Sequence, residues 1–193
     1  MDSAHVVGCG TIGSNLVLAL CKIGEFSRLH IYDHDVVTYT DKPEFPFQEA
    51  VMGLPKVEAL SVLIESLELN RKTSLFCHEV QVTQDIKDKG LVIDCRDRKD
   101  QAINADIRLS MDGPVLIVDS RAGCISVDDY NDYVIDKDPG YIELGIAIAA
   151  NIICREMYTS RQYQVYDLRS VLYSAKTVNL DNDNGPTPSK DKT

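Results

Sequence analysis

Short apolar runs trade places with amphipathic stretches through the first two thirds of this chain. His5 to Gly8 ends a buried run, Asn15 to Ile23 has the spacing of a helix, and Leu29 to Tyr32 is a second buried run closed by Asp33. Gly53-Leu54-Pro55 opens an amphipathic helix reaching about Leu69, with Val57, Leu60, Leu63, Ile64 and Leu67 on one face. Ser74 to Val82 alternates as a third strand, and Leu91 to Cys95 is a short run typical of a parallel strand. A helix over about Lys99 to Met111 then leads through Asp112-Gly113-Pro114 to a fifth strand, Val115 to Asp119. Regular exchange of strand and helix implies a parallel sheet covered on both faces.

The pattern then changes. Cys124 to Val127 reads as a short strand, followed by a loop carrying Asp128, Asp129, Asp132, Asp136 and Asp138. Pro139-Gly140 opens a strongly apolar helix, Tyr141 to Tyr158, for which core burial is a better reading than an interface. Tyr163 to Asp167 and Tyr173 to Val178 read as a final antiparallel pair. The expected fold is α/β: a Rossmann-like, mostly parallel sheet with helices on both faces, extended by C-terminal antiparallel strands. The 193 residues, 44% of them hydrophobic, suit one core better than two. Residues 1–180 form the expected domain. Residues 181–193 have too few apolar side chains to offset their ordering entropy and read as a flexible polar tail.

Charge and composition exclude several classes. A formal charge of -10 without a Lys/Arg cluster argues against nucleic acid. No apolar run is long enough to span a bilayer, and Met-Asp-Ser-Ala-His passes directly into the first strand, so a cytoplasmic protein that does not engage membranes is expected. The six cysteines form no C-x-x-C pair, and the histidines at 5, 30, 34 and 78 lack ligand spacing, so neither disulfides nor zinc is expected. The acidic loop lacks the glycine and terminal glutamate of an EF-hand.

The chemistry concentrates at residues 6 to 14. Gly8 allows a tight bend, Gly10 leaves room for phosphate to approach backbone, and Gly13 lets the next helix pack closely on the strand, with Thr11, Ile12 and Ser14 completing the turn. Unpaired N–H groups at the helix start attract phosphate. Asp33, twenty residues after Gly13, stands where a carboxylate accepts ribose hydroxyls. The competing reading is a glycine-rich turn without ligand.

Four blocks carry a family resemblance. Gly8-x-Gly10-x-x-Gly13-Ser14, Ile31-Tyr32-Asp33-x-Asp35-Val36-Val37, Gly53-Leu54-Pro55-Lys56-Val57-Glu58-Ala59 and Val92-Ile93-Asp94-Cys95-Arg96-Asp97 resemble, in order and spacing, the ThiF/MoeB/E1 superfamily. That superfamily adenylates the C-terminal carboxylate of ubiquitin-like and sulfur-carrier proteins. The resemblance implies ATP and Mg²⁺ as cofactors, a ubiquitin-like, sulfur-carrier-like or peptide C-terminus as partner, and a homodimer. It implies that Gly10, Gly13 and Ser14 surround phosphates, Asp33 holds ribose, Lys56 contacts the outer phosphates and Asp97 holds Mg²⁺. The competing readings are Lys56 as a solvent-facing first-turn residue, Asp35 as a loop acid and Asp97 as a helix cap.

Two departures bear on catalysis. Where the family has Asn-Leu-x-Arg-Gln, this chain has Thr40-Asp41-Lys42-Pro43-Glu44-Phe45, with Glu44 at the arginine position, and with the first strand starting near residue 5 the N-terminal extension that lends a second arginine is not expected. Arg96, Arg98 or Arg121 is the expected substitute for the lost charge. Cys124, beside Arg121, is a candidate thioester nucleophile or else an inward-packed strand residue. An E1-like adenylyltransferase is the favoured expectation. The alternatives are a non-catalytic ThiF-fold binding or assembly module and an NAD-dependent oxidoreductase.

Overall fold

The computed structural model describes residues 2–39, 51–83, 86, 90–96, 103–112, 115–119, 139–155 and 163–169. Strand β1 (Ser3–Val7) is buried along its whole length. Helix α1 (Thr11–Ile23) follows and closes at Gly24, whose left-handed backbone, φ 68°, lets its N–H donate to Leu20 O at 2.9 Å. β2 (Arg28–Asp33), α2 (Lys56–Ser66), β3 (Ser74–Glu79) and β4 (Leu91–Asp94) complete the first half. β5 (Ile107–Asp112), β6 (Val115–Asp119), α3 (Pro139–Arg155) and β7 (Tyr163–Asp167) follow.

The sheet runs β3-β2-β1-β4-β5-β6-β7. Pairings are parallel from β3 to β5 and antiparallel across β5–β6 and β6–β7, giving the mostly parallel, Rossmann-like sheet with an antiparallel extension. Order reverses at β1, between β2 and β4. In open α/β sheets, the carboxyl ends of strands at such a reversal form the ligand crevice.

One expected element is corrected. The helix read over Lys99 to Met111 is not the structure of its second half, since residues Ile107–Asp112 form β5, parallel to β4. Ile107, Leu109 and Met111 are buried and alternate with Arg108 and Ser110, a strand period of two. Val115 to Asp119 is therefore the sixth strand and runs antiparallel to β5, not parallel. Tyr163–Asp167 is a strand as read, and its partner is β6. Helix α2 stops at Ser66, short of the expected Leu69, where Glu68 adopts a left-handed φ of 53°. Residues 124–127, the acidic loop, residues 173–178 and the 181–193 tail lie outside the described residues.

The described helices share one face. Ala4, Val6, Leu29, Ile31, Leu91 and Ile93 meet Leu16, Val17 and Leu20 of α1, Val57, Leu60 and Ile64 of α2, and Ile146, Ala149 and Ile153 of α3 in one apolar cluster. α3 buries Ile142, Ile146, Ala149 and Ile153 and exposes Glu143 and Asn151, as a core helix does. On the opposite face Val7 and Val92 pack with Ile103 and Ala105, flanked by Tyr32, Val82 and Ile86. Among the described residues, no helix is long and apolar enough to cross a membrane.

Candidate functional site

The glycine turn is fixed from three sides. Gly8 has a φ of 91°, and its N–H donates to Tyr32 O at 2.8 Å. The Cys9 N–H donates to Asp33 Oδ2 at 2.6 Å, and the Cys95 N–H donates to Val7 O at 2.9 Å. A Cβ built on Gly13 would lie 1.8 Å from the Gly8 carbonyl oxygen, so the crossing of α1 over the turn requires glycine there. At Gly10 the opposite holds: a Cβ would meet nothing within 4 Å. Gly10 is the N-cap of α1, no side chain caps that end, and its first turn holds no acid. An uncapped helix start beside open space is a fit for phosphate, which accepts N–H bonds and is attracted by the helix dipole.

Backbone pairing brings Lys56 to the same edge. Val36 bridges Pro55, Val37 N–H donates to Leu54 O at 2.8 Å, and Lys56 N–H donates to Asp35 O at 2.9 Å. Lys56 is 8% exposed, which removes the solvent-facing reading, and its Nζ lies 3.4 Å from Asp35 Oδ2. Asp33 accepts one backbone N–H on each oxygen, from Cys9 at 2.6 Å and Asp35 at 2.8 Å. A carboxylate has about four lone-pair sites, so acceptor capacity remains for ribose hydroxyls.

Lys56→Met keeps the buried stem and removes the charge. We expect its melting to change by no more than about 1 kcal/mol, because the partner Asp35 is half exposed. Titration calorimetry should show ATP affinity falling about tenfold while adenosine affinity holds.

The structure turns Arg96 elsewhere. Its Nε donates to Asp94 Oδ1 at 2.8 Å, Nη2 to Asp94 Oδ2 at 3.0 Å and Nη1 to Val82 O at 3.0 Å. This is a buried bidentate pair, with the side chains 11% and 4% exposed. The Arg96 stem covers Gly8, where an added Cβ would meet Arg96 Cγ at 2.9 Å. Asp94 escaped the sequence reading; its signal was a carboxylate ending a buried strand two residues before an arginine.

Strand, glycine turn and helix, the acidic end of the second strand, the Lys56 block and the β4 block all fall within residues 2–110, which match the family model described as the ThiF family. The chain belongs to the ThiF family. Similar solved folds include E. coli MccB with ATP, TM-score 0.64 at 13% identity over 86% of this chain and 63% of that one. PaaA gives 0.60 at 12% identity over 87% and 64%. MccB with AMPCPP and MccA gives 0.62 at 13% identity over 86% and 64%. This ThiF-family chain thus spans slightly under two thirds of the length of each. No curated protein sequence matches it.

Asp97, Arg98, Arg121, Cys124 and the Thr40-to-Phe45 segment of this ThiF-family chain lie outside the described residues. Asp33, His34 and Asp35 bring potential ligand atoms within 4.8 Å of one another. Lys56 on Asp35 and the backbone bonds to Asp33 make this cluster better suited to a sugar and an ammonium than to a metal ion. Burial pushes the Cys9 and Cys95 thiols well up, with Asp33 adding to the effect at Cys9, and pushes Cys21 up to about 11. The three are therefore expected to resist iodoacetamide at pH 8 in the folded chain and to react after denaturation, as peptide mass mapping would show.

Proposed function

We propose that this chain binds ATP at the carboxyl edge of β1, β2 and β4 and activates the C-terminal carboxylate of a protein or peptide by adenylation. The observation that carries this reading is the uncapped start of α1 beside the open space at Gly10, with the buried Lys56 at the same edge. Gly8, Gly10, Thr11, Ile12, Gly13 and Ser14 would face the phosphates, Asp33 the ribose and Lys56 the outer phosphates. Asp97 would supply the carboxylate for Mg²⁺, which commonly shares one or two carboxylates with substrate phosphates and water. The bound metal would offset charge on the departing pyrophosphate. The chain's own groups would fix ATP and neutralise its oxygens while the acceptor carboxylate attacks the α-phosphorus.

The MccB structures contain ATP in one case, and AMPCPP with MccA in another, which supports a nucleotide and a peptide as the ligand classes. The resemblance adds a ubiquitin-like or sulfur-carrier-like acceptor and a homodimer. With Arg96 held by Asp94, replacement of the family arginine falls to Arg98 or Arg121 in this reading. That engagement also favours the second reading, a nucleotide-binding assembly module without catalysis. Titration with ATP–Mg²⁺ and with NAD tests the nucleotide: binding of ATP and not NAD is expected, and the reverse would return the oxidoreductase. Exchange of labelled pyrophosphate into ATP with peptide carboxylates then separates enzyme from module, and ATP binding without exchange would leave the module.

A further inference from the structure

Three histidines and a tyrosine stand in register on the sheet face opposite the described helices. His5 on β1 lies beside His30 on β2 and His30 beside Phe76 on β3; one rung further, Tyr32 lies beside His78. The rings stack nearly parallel, with centroids 4.6 Å apart for His5–His30, 4.7 Å for His30–Phe76 and 4.3 Å for Tyr32–His78. Two hydrogen bonds join the rungs, His5 Nδ1 with the Tyr32 hydroxyl at 3.0 Å and His30 Nδ1 with His78 Nε2 at 3.2 Å. His5 is fully buried, and a Cβ on Gly90 would lie 2.8 Å from its Nε2, so the chain packs directly onto that ring. His30 and His78 are half-buried.

A bond between two imidazoles needs one ring to donate and the other to accept. The His30–His78 pair therefore has room for one extra proton and not for two. With one, the bond becomes charge-assisted, and an imidazolium at His30 lies on the ring of Phe76, whose face attracts a cation. A second proton would set N–H against N–H and charge against charge at 3.2 Å. The charged groups on this face are engaged elsewhere: Arg28, one rung back, is held by Asp2, and Asp94 on β4 is held by Arg96. Glu79 alternates to the other face, and the segment after β3 contributes apolar Val82 and Ile86.

We infer that His30 and His78 form an acid-sensitive clasp that fastens β3 to the sheet, closed while the two rings share at most one extra proton and opened by the second. β3 is the element that lets go, because it is the outermost strand and, among the described residues, pairs only with β2. Its Phe76 is already 41% exposed. Tyr32 carries the event inward: its ring stacks on His78, and its carbonyl accepts the Gly8 N–H at 2.8 Å. The clasp does not depend on the nucleotide reading.

Amide hydrogen exchange followed by NMR, with the intrinsic rate divided out, measures how often the paired amides of Ser74–Glu79 open. A detached strand leaves two independent histidines that both charge below about pH 6, against one proton in the closed pair, so opening takes up one proton. The opening constant should then rise several-fold between about pH 6 and pH 5, towards a limit of about tenfold per pH unit. His78→Gln leaves a side chain that accepts from His30 and takes no proton, so this slope should vanish whatever the overall level of protection. His30→Gln, the mirror change, should remove it as well. A flat native constant overturns the inference, and so does a slope that persists in both variants. If circular dichroism shows one variant unfolded, the other decides.

Discussion

Gly13→Ala should lower the stability of this chain by about 3 kcal/mol or more, dropping the melting temperature by about 10 °C. The added methyl would sit 1.8 Å from the Gly8 carbonyl oxygen and 2.9 Å from its carbon. Both are backbone atoms, so no side-chain rotation relieves the clash. Gly8 itself cannot shift freely, being bonded through its N–H to Tyr32 O, and Cys95 Cβ closes the third side at 3.3 Å. Either α1 lifts from the sheet or the turn opens, and each uncovers Leu16, Val17 and Leu20, which are at most 1% exposed. Thermal and urea melts monitored by circular dichroism measure the loss. A variant melting with the native chain would mean that α1 crosses the turn less closely than described.

Gly10→Ala should do the reverse: leave the melt within about 0.5 kcal/mol and weaken ATP binding about tenfold or more. Gly10 has φ −68° and ψ −166°, which alanine adopts without strain, and its Cβ would meet no protein atom within 4 Å. Alanine in a compatible conformation even restricts the unfolded chain slightly. In the proposed reading the methyl fills the space that phosphate takes beside the N–H groups of α1. Calorimetric titration with ATP, paired with a melt, reads both quantities. Native affinity in Gly10→Ala would remove the phosphate site from the turn, whatever else the chain binds.

The parts of the site readable from sequence are those made by neighbours along the chain. Gly8 to Ser14, Asp33 and Lys56 are each a short local pattern, and the β-turn-α topology carries them to one edge. What the sequence hid needs partners distant in the chain. His5, His30, Phe76 and His78 stand up to 73 residues apart and become a row only through parallel register. The hold of Asp94 on Arg96 is a choice of side-chain partner that no spacing displays. The helix expected over Lys99 to Met111 fails for a different reason: Ile103, Ile107 and Met111 recur every four residues, while Ile107, Leu109 and Met111 recur every two. Both periods fit so short a stretch, and only pairing with β4 decides between them.

Asp33 bonds the amide of Cys9, Tyr32 bonds that of Gly8, Val7 bonds that of Cys95, and Arg96 lies across the outside of the bend. The loop proposed to receive a triphosphate is therefore rigid before any arrives. Little conformational freedom is left for the polypeptide to surrender on capture, so the entropy lost should come mainly from the guest, and repeated loading and release can proceed without remaking the socket.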